Sequence, residues 1–228
     1  MKMEKIALVT GANKGIGFEV ARQLAGRGFC VFVGARNEKA GRQAAERIGA
    51  AFLKIDVSDT KSVRNAAREF SKLTDHLDVL VNNAGIIVDG DEAILKITPE
   101  QFEETMRTNA LGPLLVAQAF QPFLATAVAP RIINVSSSGG QLAEGADGWS
   151  PAYCISKTAL NGVTSQLSAA QPKVAVNSVC PGWIRTDMGG PNAPGTVEEG
   201  ADGIVWLATD APQNLTGKFV QRRKVIPW

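Results

Sequence analysis

Short apolar runs alternate along the chain with segments whose apolar residues recur every three to four positions. Residues 6–9 (Ile-Ala-Leu-Val) form the first run, and 15–27 follow with Ile16, Val20 and Leu24 at helical spacing. Residues 30–33, 52–55, 79–81, 132–135, 174–179 and 219–220 read as further buried strands, with 219–220 as the last. Helical patterns lie between them. Residues 37–48 open on Asn37 as an N-cap. A helix capped by Ser58 or Asp59 carries Val63, Ala66, Ala67 and Phe70. Residues 151–170 and 196–208 form two more. Thr98-Pro99-Glu100-Gln101 reads as an N-cap, a proline at the first helical position, then acid in the first turn. The long helix behind it is expected to reach about Leu124, with a bend near Pro113.

Uninterrupted apolar strands alternating with helices imply a parallel sheet covered on both faces. The expected fold is therefore α/β, a single-domain Rossmann-type doubly wound sheet spanning 1–228. No linker and no internal repeat interrupts it. The stretch 183–200, rich in Gly and Pro, reads as a mobile loop inside the domain. A length of 228 residues suits one such domain with a sizeable core.

Composition narrows the function classes. The formal charge of +2, from 24 basic and 22 acidic residues, gives no argument for nucleic acid as a partner. The run Arg222-Arg223-Lys224 reads as a solvated patch. Cys30, Cys154 and Cys180 are odd in number, sit in apolar stretches and form no Cys-x-x-Cys pair, which points to a reducing compartment. With no leader pattern and no apolar run near ~18 residues, the expectation is a cytoplasmic protein without membrane contact. His76 is the lone histidine, read as structural, and no metal-ligand cluster exists.

Candidate chemistry begins at Thr10-Gly11-Ala12-Asn13-Lys14-Gly15-Ile16-Gly17, which joins the first strand to the first helix. Glycines here permit a tight turn, close approach of backbone to a pyrophosphate, and close helix–strand packing, while the helix N-terminus faces the anion. The second strand ends Gly34-Ala35-Arg36-Asn37, without the acid that would hold a free ribose 2′-hydroxyl. Arg36, with Lys14 in the turn, suits a 2′-phosphate instead and favours NADP(H).

Tyr153, the single tyrosine, and Lys157 lie four residues apart and share a helix face. A phenol titrates near 10, so a neighbouring ammonium is expected to lower it and make an acid/base pair. Ser136-Ser137-Ser138 follows the fifth strand at the carboxyl edge of the sheet, where such folds place ligands, and Asn82-Asn83-Ala84-Gly85 ends the fourth at the same edge. Asn109 lies inside a helix, where asparagine is a poor former. Trp149 and Trp183 flank the expected substrate mouth and suggest an apolar or aromatic substrate.

Over nearly its whole length the chain resembles the short-chain dehydrogenase/reductase family. The resemblance rests on the glycine turn, Asp56, Asn82-Asn83-Ala84-Gly85, Asn109, Asn134-Val135-Ser136-Ser137, Tyr153-x-x-x-Lys157 and Pro181-Gly182. The tail from Cys180 to Trp228 is most similar to that of the NADPH-dependent carbonyl reductases. The resemblance implies hydride transfer between a nicotinamide and a small carbonyl or alcohol. Tyr153 would be general acid/base, Lys157 its partner and a ribose ligand, Ser137 a carbonyl-polarising group, and Asn109 the support of a water relay. Cofactor contacts would come from Gly11, Asn13, Lys14, Gly15, Ile16, Gly17 and Arg36. Further contacts would come from Asp56 and Val57 at adenine, Asn83, Ala84 and Gly85 at the ribose, and Pro181, Gly182, Ile184 and Thr186 at the carboxamide side.

One departure bears on assembly. The monomeric carbonyl reductases carry a long insert before the tyrosine, whereas here only residues 138–152 separate Ser137 from Tyr153. The implied state is a homodimer or homotetramer. A catalytically idle NADP(H) sensor is the competing reading, opposed by the joint presence of Asn109, Ser137, Tyr153 and Lys157.

Overall fold

The computed structural model describes residues 4–143 and 145–228. Eight strands form one sheet: β1 (Ile6–Thr10), β2 (Cys30–Ala35), β3 (Ala51–Lys54), β4 (Val79–Asn82), β5 (Arg131–Val135), β6 (Ala175–Cys180), β7 (Lys218–Gln221) and β8 (Lys224–Ile226). Their order is β3-β2-β1-β4-β5-β6-β7-β8, parallel throughout except for the final pair. Strand side chains alternate faces. Ala7 and Val9 pack under α1 (Gly15–Gly26), α2 (Glu38–Arg47) and α7 (Val197–Thr209). Ile6 and Leu8 pack under α3 (Thr60–Phe70), α5 (Gly112–Leu124) and α6 (Pro151–Ala170). Apolar residues on both faces explain why the strands read as continuous apolar runs.

Local capping sets most helix starts. Asn37 accepts from the Ala40 N–H, and Asp59, rather than Ser58, accepts from the Lys61 N–H. Thr98 with Gln101, opening α4 (Pro99–Met106), and Thr196 with Glu199, opening α7, form reciprocal capping boxes.

Two expectations are corrected. The bend expected at Pro113 is a π-helical segment, Arg107–Leu111, lying between α4 and α5. Pro113 has no N–H to continue the α ladder, and the register widens just before it, with the Gly112 N–H bonding the Arg107 carbonyl. Residues 219–220 are not the last strand. The chain turns at Arg222 and Arg223, both at positive φ (48° and 61°), and returns as antiparallel β8. Arg223 Nε donates to Asp202 Oδ2 at 2.8 Å, so this basic run is an anchored turn. A two-residue turn of this kind normally signals itself through Gly or Asn, which is why the hairpin is silent in the sequence.

Candidate active site

β1 and β4 are neighbours whose connections leave in opposite directions, the arrangement that opens a crevice at the carboxyl edge of a doubly wound sheet. Thr10 ties the two strand ends together. Its hydroxyl donates to the Val81 carbonyl and accepts from the N–H groups of Asn83 and Ala84. The Asn83 side chain donates to the carbonyls of Thr10 and Gly11. Gly11 sits at φ 64°, and a Cβ there would lie 2.8 Å from the Ala84 Cα. A Cβ on Gly17 would overlap the Asn83 amide nitrogen. Gly15, also at positive φ, has only Thr186 near its would-be Cβ, at 3.4 Å, and leaves bare main chain toward the crevice. The three glycines thus divide into a tight turn, an open approach and a packing contact.

The crevice holds about 540 Å³. The whole turn from Gly11 to Gly17 except Ala12 lines it, together with Arg36, Asp56, Val57, Asn83, Ala84 and Gly85. Tyr153, Lys157, Pro181 and Thr186 line its other end. Gly182 and Ile184 do not. They border a second cavity of about 490 Å³ behind the loop, where the Ile184 side chain packs toward Gly195 and Gly200. Lining residues that sequence reasoning missed include Ile86, Thr108, Arg185, Asp187 and Met188, and Ser136 of the predicted serine run lines it too. Several of these adjoin predicted contacts in the chain: Ile86 follows Gly85, Thr108 precedes Asn109, and Arg185 and Asp187 flank Thr186. Asn82 turns inward and donates to Asn134 inside the core.

Several features suit a dinucleotide phosphate. α1 begins at the crevice with no side-chain cap and no acid in its first turn. Arg36 is exposed at the crevice and has no acidic partner among the described residues. Lys14 is engaged differently: its Nζ lies 2.5 Å from Asp187 Oδ2, joining the glycine turn to the loop opposite. The Lys14 ammonium holds the Asp187 carboxyl below its ordinary range.

At the far end, Tyr153 and Lys157 are buried on the inner face of α6, Lys157 only 4% exposed. The Lys157 ammonium donates to the Val135 carbonyl at 2.8 Å and lies 5.4 Å from the Tyr153 ring centre. Burial pulls Lys157 down to about 8 and pushes the Tyr153 phenol up to about 12, with the Ser137 hydroxyl acting in the opposite direction on the phenol. The expected lowering of the phenol by Lys157 is not found: loss of water around the ring dominates, and the ammonium points to a main-chain carbonyl.

Asn109, fully buried, sits in the π segment. It accepts from the Ile86 N–H and donates to the Ile86 carbonyl and to Ser156 Oγ. Its amide oxygen and the Lys157 ammonium converge on Gly85. Ser137 Oγ caps a short 3₁₀ turn by accepting from Gly139, at the Tyr153 side of the site. Trp149 packs beside Tyr153 with ring centres 5.7 Å apart and is 43% exposed. Trp183 is 61% exposed, its indole N–H fixed on the Gly189 carbonyl at 2.8 Å. Asp91, which carried no signal in the sequence, accepts from the N–H groups of Ala152 and Tyr153.

A doubly wound sheet with a glycine turn at its switch point and a buried Tyr–Lys pair across the crevice defines a nucleotide-binding α/β protein. The chain belongs to the short-chain dehydrogenase family, whose pattern matches residues 5–196. It is 33% identical over 287 aligned positions to a (+)-neomenthol dehydrogenase of Arabidopsis thaliana, covering 97% of each chain. It is 35% identical over 280 positions to carbonyl reductase [NADPH] 1 of Mus musculus, covering 98% of each. Among solved structures it resembles an NADPH-bound carbonyl reductase from chicken fatty liver (TM-score 0.89, 28% identity, 99% of each chain). It also resembles the carbonyl reductase Sniffer of D. melanogaster (TM-score 0.90, 28% identity, 99% of this chain and 100% of that one). Among the described residues no helix is long and apolar enough to cross a membrane, and no cluster of His, Cys, Asp or Glu suits a metal ion.

Proposed function

We propose that the chain is an NADP(H)-dependent oxidoreductase that reduces the carbonyl of a small, largely apolar aldehyde, ketone or quinone in a reducing compartment such as the cytoplasm. The observation that carries this reading is the joint burial of the only tyrosine and Lys157 at the far end of the glycine-lined crevice. NADPH supplies the hydride when bound. Gly15 and the uncapped start of α1 accommodate its pyrophosphate, and Arg36 holds its 2′-phosphate. The NADPH-dependent relatives support the same choice.

The chain's own part is to hold the carbonyl and deliver a proton. Tyr153 is neutral at pH 7, because burial holds its proton until about pH 12. A neutral phenol is a donor, the form that reduction uses when Tyr153 protonates the forming alkoxide. Ser137 is the second hydroxyl at that carbonyl oxygen. Lys157 keeps a positive charge beside the phenol as it gives up its proton. Trp149, beside Tyr153, offers exposed indole surface for the rest of the substrate, whereas Trp183 borders the second cavity. A binding protein without chemistry has no use for a lysine desolvated next to a tyrosine, since that burial destabilises the fold.

The test is Tyr153→Phe, assayed for NADPH oxidation against a panel of apolar aldehydes, ketones and quinones. Turnover should fall at least ~10²-fold, with NADPH affinity retained. Near-normal turnover in the variant would remove Tyr153 from the chemistry.

A further inference from the structure

We infer that Asp91 is a positioning residue for proton transfer: its carboxylate holds the first turn of α6 and thereby fixes where the Tyr153 hydroxyl sits. The inference rests on the role proposed above for Tyr153.

The start of α6 differs from other helix starts in the chain. α2, α3, α4 and α7 are each capped by the residue immediately before them. At α6 the preceding Ser150 is in the left-handed region (φ 37°) and makes no side-chain cap. Pro151 has no N–H to offer. The Cys154 N–H already bonds the Ser150 carbonyl. That leaves the N–H groups of Ala152 and Tyr153, and Asp91 takes both, one on each carboxylate oxygen, at 2.9 Å. Asp91 as a whole is only 4% exposed. A buried anion at the positive end of a twenty-residue helix is stabilised by the helix dipole as well as by the two bonds.

Asp91 is 61 and 62 residues away from its partners in sequence, so this cap joins two separate parts of the site. It lies in the segment between β4 and α4, downstream of Gly85 and Ile86 at the crevice. That segment is itself anchored. The Asp91 N–H bonds the Val88 carbonyl, and the Gln101 side chain donates to the Asp89 carbonyl at 2.7 Å. The Tyr153 main chain is consequently held at both ends. Its N–H donates to Asp91, and its carbonyl accepts from Ser156 Oγ at 2.6 Å, where Ser156 is in turn bonded to Asn109. Were stability the only requirement, a residue at position 150 would serve as the preceding residue does at α2, α3, α4 and α7. A remote cap instead makes the crevice wall and the catalytic helix move together.

The experiment compares wild type, Asp91→Ala, Asp91→Asn and Tyr153→Phe. Rates are normalised to NADPH sites titrated by fluorescence, and amide exchange is read over the first turn of α6. Asp91→Ala should lose roughly 10- to 100-fold in kcat, the scale of a misplacement near 1 Å, with NADPH affinity within about twofold. Exchange at Ala152 and Tyr153 should rise. Asp91→Asn keeps one acceptor oxygen and should recover part of the rate, and being isosteric it decides the matter if the alanine variant does not fold. A purely structural cap predicts fewer NADPH sites but unchanged kcat per site, and that result overturns the inference. If Tyr153→Phe is inactive while both Asp91 variants turn over normally, this inference alone fails. If Tyr153→Phe itself turns over normally, the function reading fails with it.

Discussion

At the residue scale, Lys157 shows how the site works against the fold. An ammonium 4% exposed, with one carbonyl partner, is poorly compensated, and its titration falls from 10.5 to about 8. A cation whose folded value is depressed weighs fully against the native state below about pH 8 and not at all above the unfolded value. Its contribution to stability therefore improves as pH rises from about 8 to 10.5. In Lys157→Met that contribution is absent, although the Val135 carbonyl loses its donor. The difference in Tm between variant and wild type should shrink by several degrees between pH 7 and pH 10.5, because a shift of this size is on the order of 3 kcal/mol. Tyr153, held protonated to about 12, loses stability only above pH 10 and does so in both proteins. A Tm difference that stays flat across that window would contradict the account. Arg36 carries a second expectation. A charge-assisted bond to a phosphate is worth on the order of 1.5–3 kcal/mol, less where solvent screens it, and 1.4 kcal/mol is about tenfold in binding. Wild type should prefer NADPH to NADH by at least ~10-fold, and Arg36→Asp should invert the ratio by replacing attraction with repulsion. Equal use of both cofactors by both proteins would reduce Arg36 to a surface cation. The chemical groups of the crevice were legible as residue types at set spacings. Asp91 was not, since its effect is through space and one acid in a polar stretch has no pattern around it.

At the element scale, periodicity located α1, α2, α3, α6, α7 and seven of the eight strands, because each buries a face in the sheet core, while α4 and α5 read as one long helix from the cap at Thr98. What it missed was set by backbone details. The π segment depends on where register is lost before Pro113, and β8 exists because two arginines adopt positive φ with Asp202 holding one of them. The end of the chain packs back in the same unannounced way. Trp228 stacks on Phe219 at 5.7 Å, and its carbonyl accepts from the Ala143 N–H, just ahead of the segment leading to Tyr153. The stretch expected as a loop over 183–200 gives up its last four residues to α7 and is otherwise bonded within itself. Ile184 pairs with Gly195, and Arg185 Nε donates to the Ala193 carbonyl at 3.2 Å. A segment so tied moves as a unit, and its link to the glycine turn is the exposed Lys14–Asp187 pair. A phosphate bound at the turn would compete with Asp187 for Lys14, and the loop is then expected to settle over substrate. Trypsin cleavage at Arg185 should slow when NADPH is present, measured by fragment mass. Equal rates with and without NADPH would count against a cofactor-coupled loop.

At the scale of the whole molecule, strand order follows from rules of connection as much as from residues. Right-handed crossovers build β1-β2-β3 outward in one direction, and the chain then resumes at β4 on the other side of β1, which creates the crevice. The same winding leaves α5 and α6 on one outer face. There the exposed positions of α6 include Ile155, Gly162, Ser165, Gln166 and Ala169, and no charged residue occurs from Thr158 to Pro172. Leu111, at the junction into α5, is also exposed. Depletion of charge on a solvent face is the compositional mark of an interface core. The alignments to the neomenthol dehydrogenase and the mouse carbonyl reductase extend over 287 and 280 positions against 228 residues here, so those relatives carry segments this chain lacks. An insert ahead of the tyrosine, where this chain has only residues 138–152, is expected to lie near this face. Two copies related by a two-fold axis would bury it symmetrically, each needing about 800 Å² for a stable contact. The chain is expected to be a homodimer or homotetramer at micromolar concentration, and Ile155→Glu should dissociate it by placing a charge at the centre of the contact. Light scattering decides this directly: a 24.1 kDa species for the wild type would leave the α6 face an ordinary surface and the assembly proposal without support.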